Sequence, residues 1–436
     1  MTKRYDLVIL GGGTAGIVAS QYGAETGARV ALVEPGRIGG DCLYTGCVPS
    51  KALLAAGERA HAIRTAGRLG IEAGEPRVDF GAVMGHLAEA QRKAGAEDTP
   101  EYLRSLGVAD VIEAAGRFTS PGQIEAGGRT LHYRTAIIAT GSQATMPPIE
   151  GLDRANPLTN ETLFELEQLP DRLLILGGGP IGCEMAQAFG RLGAQVCLVE
   201  AADRLLPGEE PEVGALLAQV FAEEGVEVHA STTLERVEPG SGGGGRAILA
   251  GGEAREFDRI LVATGRRGVS EELGLDAVGV AVDEASYVRV DERLRTTGDR
   301  IFAAGDVTGG LQFTHNAAYQ ALTAMGNALF RARQSTETNW VPWTTFTDPE
   351  VAHVGMTEER AREMHGEGVE IYTHDYAEND RAITTGNDRG FVKLIAVGLR
   401  QKLVGATICG PAAGESIGEA ARLVRDGGTV ANLSQM

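Results

Sequence analysis

Two stretches of the chain show the same order of apolar, glycine-rich and helical segments. Each begins with a short apolar run, at Tyr5–Leu10 and again at Leu173–Leu176, which predicts a buried strand. A glycine-rich turn and a helical pattern follow, ending near Thr26 in the first copy and near Leu192 in the second. A second apolar run then closes each copy. This order predicts two strand–turn–helix–strand units, which are typical of a parallel α/β sheet.

The glycine-rich turns of both copies have the G-x-G-x-x-G spacing of a dinucleotide-binding fingerprint. In this context the glycines let the backbone approach a diphosphate at a helix N-terminus, and an acid after the second strand accepts ribose hydroxyls. Gly11 and Gly177 are 166 positions apart, as are Glu34 and Glu200, so the whole unit repeats in register. A glycine-rich turn can merely pack a helix on a sheet, but two complete copies favour two bound dinucleotides. The predicted contacts are Gly11, Gly13, Gly16 and Glu34 in the first copy and Gly177, Gly179, Gly182 and Glu200 in the second.

The segment Gly39–Lys51, GGDCLYTGCVPSK, contains a close cysteine pair, Cys42 and Cys47. The apolar run after it predicts a helix that begins at or near Cys47, where backbone N–H groups and the helix dipole favour a thiolate. This placement favours a redox-active pair over two packing residues. Zinc is a weak competitor, because four ligands are needed and no second cysteine or histidine pair has ligand spacing, so no metal site is predicted. The remaining cysteines lie among apolar residues and are interpreted as packing residues: Cys183, Cys197 and Cys409.

The pattern GG-x-C-x4-C-x-P-S-K closely resembles the redox-active disulfide of the flavoprotein disulfide reductases, which include dihydrolipoamide dehydrogenase, glutathione reductase and mercuric reductase. Tyr44 departs from the family, which more often has asparagine there. The resemblance covers essentially the whole chain and implies an α/β fold with two Rossmann-like domains and a C-terminal α+β interface domain. The implied segments are 1–150 and 268–332 for FAD, 151–267 for NAD(P) and 333–436 for dimerisation.

The resemblance also implies roles for individual residues. Cys47 is expected to face the flavin and Cys42 to attack the substrate, while Lys51 and Glu184 match the family's ion pair near flavin N5. Strands ending in Ala-Thr-Gly, Ala136–Gly141 and Ile260–Gly265, close the two nucleotide domains, and Ile301–Thr308 resembles the second flavin-binding segment. The further FAD contacts implied are Gly40, Lys51, Thr140, Gly141 and Asp306, and Gly265 is an implied NAD(P) contact.

The nicotinamide nucleotide is expected to be NADH rather than NADPH. The carboxylate of Glu200 would accept hydrogen bonds from the adenosine ribose and repel a 2′-phosphate. Arg204, four residues on, could neutralise such a phosphate. Members of the family with either preference exist.

The function implied by the resemblance is that of an enzyme, an FAD-dependent NAD(P)H:disulfide oxidoreductase acting on a small disulfide or a metal ion. Dihydrolipoamide dehydrogenase working in the dithiol-oxidising direction is one alternative, and a flavin-binding redox sensor with little turnover is another. The segments Asn379–Ile383 and Trp343–Glu350 look most like the mercuric-reductase-like branch. That branch's C-terminal cysteine pair and N-terminal metal-binding domain are missing from the sequence, so a dedicated mercury function is not supported.

The C-terminal segment departs from the family pattern. In the family, the segment that resembles Ala413–Leu433 leads to a His-Pro-Thr element whose histidine and a glutamate act as acid–base in the partner subunit. Here the sequence stops at Ser434-Gln435-Met436, so the catalytic tail is expected to be truncated, left out of this sequence or not needed. Since a general acid–base contributes ~10²–10⁴-fold, a chain truly ending here should reduce lipoamide-type disulfides poorly.

Composition narrows the choice of partners and compartment. The chain has 436 residues and a net charge of −19, which argues against nucleic acid or an anionic membrane surface as a partner. The start MTKRYDLVIL runs directly into a strand, and apolar segments stay shorter than the ~18 residues of a membrane span, so a cytoplasmic protein is expected. Phe346–Gly355 matches the family's interface domain, which predicts an isologous homodimer.

Overall fold

The computed structural model describes residues 4–240 and 242–433. The helices, in chain order, are α1 (Thr14–Glu25), α2 (Gly40–Tyr44), α3 (Cys47–Thr65), α4 (Phe80–Ala94), α5 (Pro100–Ser105), α6 (Asn160–Leu163), α7 (Pro180–Leu192), α8 (Pro211–Glu223), α9 (Thr314–Phe330), α10 (Glu358–His365), α11 (Asp380–Thr385), α12 (Ala413–Asp426) and α13 (Val430–Leu433). The strands are β1 (Tyr5–Leu10), β2 (Val30–Val33), β3 (Asp110–Ile112), β4 (Gly116–Ser120), β5 (Gln123–Ala126), β6 (Arg129–Ile138), β7 (Ser142–Ala144), β8 (Arg172–Leu176), β9 (Gln195–Val199), β10 (Glu227–His229), β11 (Leu234–Pro239), β12 (Gly245–Leu249), β13 (Ala254–Phe257), β14 (Arg259–Val262), β15 (Arg266–Gly268), β16 (Ile301–Ala303), β17 (Trp343–Thr345), β18 (Glu350–Gly355), β19 (Val369–Asp375), β20 (Phe391–Val397) and β21 (Lys402–Gly410).

Contacts divide the chain into two compact units. The first contains Met1–Pro49, Ala88–Thr145 and Gly265–Thr338, and the second contains Ser50–Leu87, Met146–Thr264 and Asn339–Met436. The predicted segment boundaries at residues 150, 267 and 332 stay predictions. Residues 434–436, where the sequence departs from the family's C-terminal pattern, lie outside the described residues.

The first unit is built on a mixed sheet in the order β3-β2-β1-β6-β5-β4, with β16 also paired to β6. The strands β3, β2, β1, β6 and β16 run parallel, and Ile9 of β1 lies between Leu32 and Ile137 in register. All six residues of the predicted strand Tyr5–Leu10 form β1. Helices α1 and α9 pack their small apolar residues against one face of this sheet. The first strand–turn–helix–strand prediction is therefore confirmed.

The second unit contains a parallel sheet in the order β10-β9-β8-β14, an antiparallel sheet β11-β12-β13 and a five-stranded sheet β17-β18-β21-β20-β19. Strand β8, helix α7 and strand β9 form the second copy of the predicted unit. The glycine-rich stretch 240–245 joins β11 to β12, where Pro239 pairs with Gly245, although Ser241 lies outside the described residues. Helix α12 covers one face of the five-stranded sheet with Ile417, Ala421 and Val424.

The two strands that were predicted to end in Ala-Thr-Gly stop earlier at their C-terminal ends than predicted. Strand β6 ends at Ile138 and β14 ends at Val262, so both Ala-Thr-Gly triplets lie beyond their strands. Both strands end where their partner strands end, since Ile138 pairs with Leu10 and Ala303, and Val262 pairs with Leu176, each the last residue of its strand. Within the described residues, none of the helices is both long enough and apolar enough to cross a bilayer.

A buried carboxyl and a buried imidazole in the second unit have pKa values shifted in opposite directions. Glu209 accepts a hydrogen bond from Trp343 Nε1 at 2.5 Å, and its other oxygen lies 3.9 Å from Nδ1 of His353. Burial raises the pKa of Glu209 to about 7 and lowers the pKa of His353 to about 4. Both side chains are therefore uncharged over a range in which they would be charged in water.

Glu209→Gln should change how stability depends on pH. The folded carboxyl has a pKa of about 7 against an ordinary value of 4.5, so its stabilising contribution is complete below about pH 4.5 and is lost as the pH rises through 7. Glutamine cannot ionise, so the free energy of unfolding of the variant relative to wild type should rise by on the order of 2 kcal/mol between about pH 5 and pH 8. Urea unfolding at both pH values measures this, with the exposed Glu235→Gln as the matched control. An equal response in both variants would contradict the assignment.

Candidate active site

The two cysteines of the Gly39–Lys51 segment lie on consecutive helices. Cys42 lies in the five-residue helix α2 and is half-buried, and Cys47 is the exposed first residue of helix α3. The predicted helix beginning at Cys47 is confirmed, so its sulfur lies where backbone N–H groups and the dipole favour negative charge. The segment thus forms the helix start that a thiolate prefers.

The side chains of Cys42 and Cys47 are in direct contact. A hydrogen bond to the Cys47 side chain, together with burial, raises the pKa of the Cys42 thiol. Sγ of Cys47 also lies 3.2 Å from Oγ1 of Thr314, the first residue of α9. The two sulfurs have different surroundings, because Cys42 is half-buried in α2 whereas Cys47 is exposed at the start of α3.

A series of contacts between polar side chains in the first unit connects Asp41, the residue before Cys42, to Asp306. Asp41 contacts Arg266, whose Nε donates to Ser142 Oγ at 2.7 Å, and this hydroxyl donates to Asp306 at 3.1 Å. Burial raises the pKa of the Asp306 carboxyl. Sequence reasoning missed Asp41, Ser142 and Arg266. The available signal was position, since Ser142 and Arg266 each directly follow an Ala-Thr-Gly triplet.

The first fingerprint forms a tight backbone cradle. Glu34 accepts from the backbone N–H of Gly12 at 2.6 Å. A Cβ on Gly16 would lie 1.8 Å from the carbonyl oxygen of Gly11, so a side chain is excluded there. A Cβ on Gly13 would meet only Gly40, at 3.8 Å, which leaves the backbone accessible to a diphosphate. The residues present fit the adenine dinucleotide part of FAD, and Thr140, which donates to the carbonyl of residue 269 at 2.5 Å, and Gly141 follow β6 in the same unit.

The second fingerprint repeats this geometry in the second unit. Glu200 accepts from the backbone N–H of Gly178 at 2.5 Å and of Ala202 at 2.6 Å. A Cβ on Gly182 would lie 1.8 Å from the oxygen of Gly177, whereas a Cβ on Gly179 would meet nothing within 4 Å. The predicted repeat therefore extends from the sequence to the atomic contacts. The cradle fits a second dinucleotide.

The predicted ion pair between Lys51 and Glu184 is formed inside the second unit. Lys51 Nζ donates to the two carboxylate oxygens of Glu184 at 3.0 and 2.9 Å. Glu184 is only 5% exposed and also accepts from the backbone N–H of Phe346 at 2.9 Å, and the ammonium lies 4.5 Å from the centre of the Phe346 ring. A charge pair with one buried member holds both side chains in one geometry. The role of this pair toward a flavin stays a prediction.

The predicted site residues are distributed over both units. Those in the first unit are Gly11, Gly13, Gly16, Glu34, Gly40, Cys42, Cys47, Thr140, Gly141, Gly265 and Asp306. Those in the second unit are Lys51, Gly177, Gly179, Gly182, Glu184 and Glu200. Their roles as catalytic or cofactor contacts stay predictions.

Comparison with known proteins assigns the family. The profile described as pyridine nucleotide-disulphide oxidoreductase matches residues 5–321, and the profile of that family's dimerisation domain matches residues 341–436. A mercuric reductase from Streptomyces lividans is 39% identical over 440 residues, covering 99% of this chain and 92% of that protein. A dihydrolipoyl dehydrogenase from Thermus scotoductus is 35% identical over 437 residues, covering 99% and 93%.

Solved structures of similar proteins give the same result. The Cu(II) complex of the HOCl-induced flavoprotein disulfide reductase RclA from Escherichia coli is 29% identical, with a TM-score of 0.88 and coverage of 99% of this chain and 95% of that one. Its match and the family profiles confirm the predicted α/β fold with dinucleotide-binding and dimerisation domains. The chain therefore belongs to the pyridine nucleotide-disulphide oxidoreductase family, enzymes that depend on FAD and NAD(P)H and act on sulfur groups.

Proposed function

We propose that this enzyme passes electrons from NADH to the pair Cys42/Cys47 and on to a small disulfide or a metal ion. The observation that carries the proposal is the direct contact of the side chains of Cys42 and Cys47, with Cys47 at the start of a helix. Bound FAD would supply the transfer of two electrons from the nicotinamide to the cysteine disulfide. The cysteine pair would then carry these electrons to the acceptor.

The cysteine pair completes the reaction with a disulfide substrate in a balanced way. Two electrons and one proton, together equivalent to the hydride from NADH, break the Cys42–Cys47 bond and give a Cys42 thiol beside a Cys47 thiolate. Cys42 loses its proton as it attacks the substrate disulfide, and the thiolate that leaves takes up this proton to become the first thiol. Attack of Cys47 on the Cys42 sulfur restores the internal disulfide, and the second thiolate that leaves takes up a proton from solvent. A metal-ion substrate would instead be bound by both sulfurs and take the same electrons, one for each Cu(II) or two for one Hg(II).

The names of the relatives support both kinds of acceptor. One relative is a mercuric reductase, another is a dihydrolipoyl dehydrogenase, and RclA is a disulfide reductase solved as a Cu(II) complex. The test is steady-state NADH oxidation by the purified protein with lipoamide, neutral small disulfides, Hg(II) and Cu(II), and NAD⁺ reduction with dihydrolipoamide. Turnover with one of the first four supports the proposal. Turnover confined to dihydrolipoamide favours the dithiol-oxidising alternative, and no turnover favours a redox sensor.

Contacts around Glu200 support NADH as the reductant. The Glu200 carboxylate is held by two backbone N–H groups, so its charge is fixed beside the second fingerprint. Arg204 could neutralise a 2′-phosphate, but its guanidinium donates to Asp203 at 3.1 Å and to the carbonyl of Pro207 at 3.1 Å. Both terminal nitrogens of Arg204 are thus engaged by the protein. This arrangement favours a ribose with free hydroxyls.

Glu200→Gln should shift the preference toward NADPH. The amide keeps the size of the side chain but removes the charge that repels a 2′-phosphate, so the ratio of kcat/KM for NADH over NADPH should fall about tenfold, or ~1.4 kcal/mol. Steady-state kinetics with both nucleotides and one acceptor measures the ratio. The exposed Glu167→Gln in the same unit is the matched control and should leave it unchanged. A ratio that stays the same in Glu200→Gln would show that this carboxylate does not select the nucleotide.

The dimerisation domain supports assembly of two copies of the chain. The family profile for that domain covers residues 341–436, which include the five-stranded sheet and helix α12. We expect an isologous homodimer, in which the same surface of each copy meets at a twofold axis. Light scattering behind size-exclusion chromatography should give about twice the chain mass of 45.7 kDa.

A further inference from the structure

Three side chains with metal-ligating atoms converge on two paired strands of the second unit, outside both fingerprints. Strands β9 and β10 run parallel, with Cys197 in register with Glu227 and His229 two residues further along. The three side chains therefore lie on one face of the sheet. Their ligand atoms all lie within 4.8 Å of one another. Strand pairing thus gathers a sulfur, a carboxylate and an imidazole at one place.

A cationic group already occupies the point of convergence. The terminal nitrogen Nη2 of Arg255 lies 2.5 Å from Oε1 of Glu227, 2.6 Å from Oε1 of Glu253 and 3.4 Å from Nε2 of His229. Two carboxylates and an imidazole nitrogen therefore surround one positive charge. Two of the three proposed ligands, Glu227 and His229, therefore already hold a cation at this place.

We infer that Cys197, Glu227 and His229 form a binding site for a divalent transition-metal ion such as Zn²⁺, which displaces Arg255 from Glu227. Cysteine sulfur, histidine nitrogen and carboxylate oxygen are the ligands that zinc takes in proteins, with three protein ligands leaving one position for water. This site is separate from the cysteine pair Cys42/Cys47 and does not depend on the proposed reductase reaction.

The bonds and charges that change when the metal ion binds can all be accounted for. The ion forms bonds to sulfur, nitrogen and oxygen, and the thiol proton of Cys197 is released to solvent. Arg255 loses Glu227 but keeps Glu253, so its charge is not left without a partner. Tetrahedral bonds of 2.0–2.3 Å require ligand atoms roughly 3.5 Å apart, so the donors must close by about 1 Å. Entry is open, because the Glu227 side chain is 47% exposed and that of His229 is 17% exposed.

The test is a titration with Co²⁺, a coloured substitute for Zn²⁺, on the full chain carrying Cys42→Ser and Cys47→Ser. These two changes remove the redox sulfurs, so a thiolate-to-cobalt absorbance band can come only from another cysteine. We expect one equivalent of Co²⁺ to produce this band and to release one proton. Added Zn²⁺ should compete for the site and remove the band. Cys197→Ser should abolish the band, and the surface change His229→Asn should weaken binding by about tenfold or more.

Two further variants separate a metal site from a structural hydrogen-bond network. Arg255→Gln removes the competing charge, so Co²⁺ should bind roughly tenfold more tightly, whereas a purely structural role predicts no gain. His374→Asn is the control, because His374 lies 3.4 Å from Glu378 in an exposed pair without a cysteine. It should leave binding unchanged. No cobalt binding, a band that survives Cys197→Ser, or weaker binding in Arg255→Gln would overturn the inference.

Discussion

Cys47→Ser should abolish the long-wavelength absorbance band that forms when the wild-type protein is titrated anaerobically with NADH. The band requires a thiolate beside the flavin, and the Cys47 sulfur lies at a helix start, where backbone N–H groups and the helix dipole favour a thiolate. A serine hydroxyl does not ionise in this range. Turnover with disulfides should fall by at least about 10³-fold, because the internal disulfide can no longer form.

The partner variant Cys42→Ser should behave differently. It keeps Cys47, so reduced protein should still show the band, yet disulfide turnover should be lost to a similar extent because the attacking sulfur is missing. Cys409→Ala removes a fully buried sulfur on β21 and serves as the matched control, with band and turnover retained. If flavin absorbance in the wild type bleached with no band, or if Cys47→Ser kept it, the cysteine pair would not be the electron acceptor.

The parts of the structure that sequence predicts well are local ones. Strand β1, helix α7 and the helix start at Cys47 each follow from residues within one short stretch, where apolar runs, glycine turns and helix signals act on neighbouring backbone. The repeat also carried over to the atomic contacts, because the same glycine spacing forces the same close approach in Gly16 and Gly182. Both fingerprints were therefore predicted without knowledge of the tertiary fold.

Contacts between distant residues had no such signal. Arg266 contacts Asp41, 225 positions away in sequence, and Ser142, 124 positions away. Each of these three residues taken alone looks like an ordinary polar position. Cys197 was interpreted as a packing residue, since only the pairing of β9 with β10 brings Glu227 and His229 beside it. In each case the deciding information is strand order and register, which the hydrophobic pattern of one strand does not contain.

Lys393 shows the same limit within a single strand. The stretch Phe391–Val397 is mostly apolar and forms β20, but its lysine faces inward with its side chain only 4% exposed. Its Nζ lies 2.9 Å from Glu210, 2.9 Å from Glu212 and 2.7 Å from Glu358. These carboxylates come from chain segments far apart in sequence. Sequence alone gives no reason to bury a lysine there.

Lys393→Met should cost about 3–5 kcal/mol in the free energy of unfolding, the largest stability effect that we expect in this chain. Methionine fills a similar volume but leaves Glu210, whose side chain is 1% exposed, without its counter-charge. Replacing Glu210 by Gln in the same chain should recover part of the loss, because the remaining buried group is then neutral. Arg389→Met is the control, since its pair with Glu223 is about 40% exposed on both sides and should contribute ~0–1 kcal/mol. Urea unfolding followed by far-ultraviolet circular dichroism compares the three variants with wild type. A loss in Lys393→Met no greater than in Arg389→Met would show that the three carboxylates tolerate burial without the lysine, and that packing rather than charge pairing holds β20 to the loop before α8.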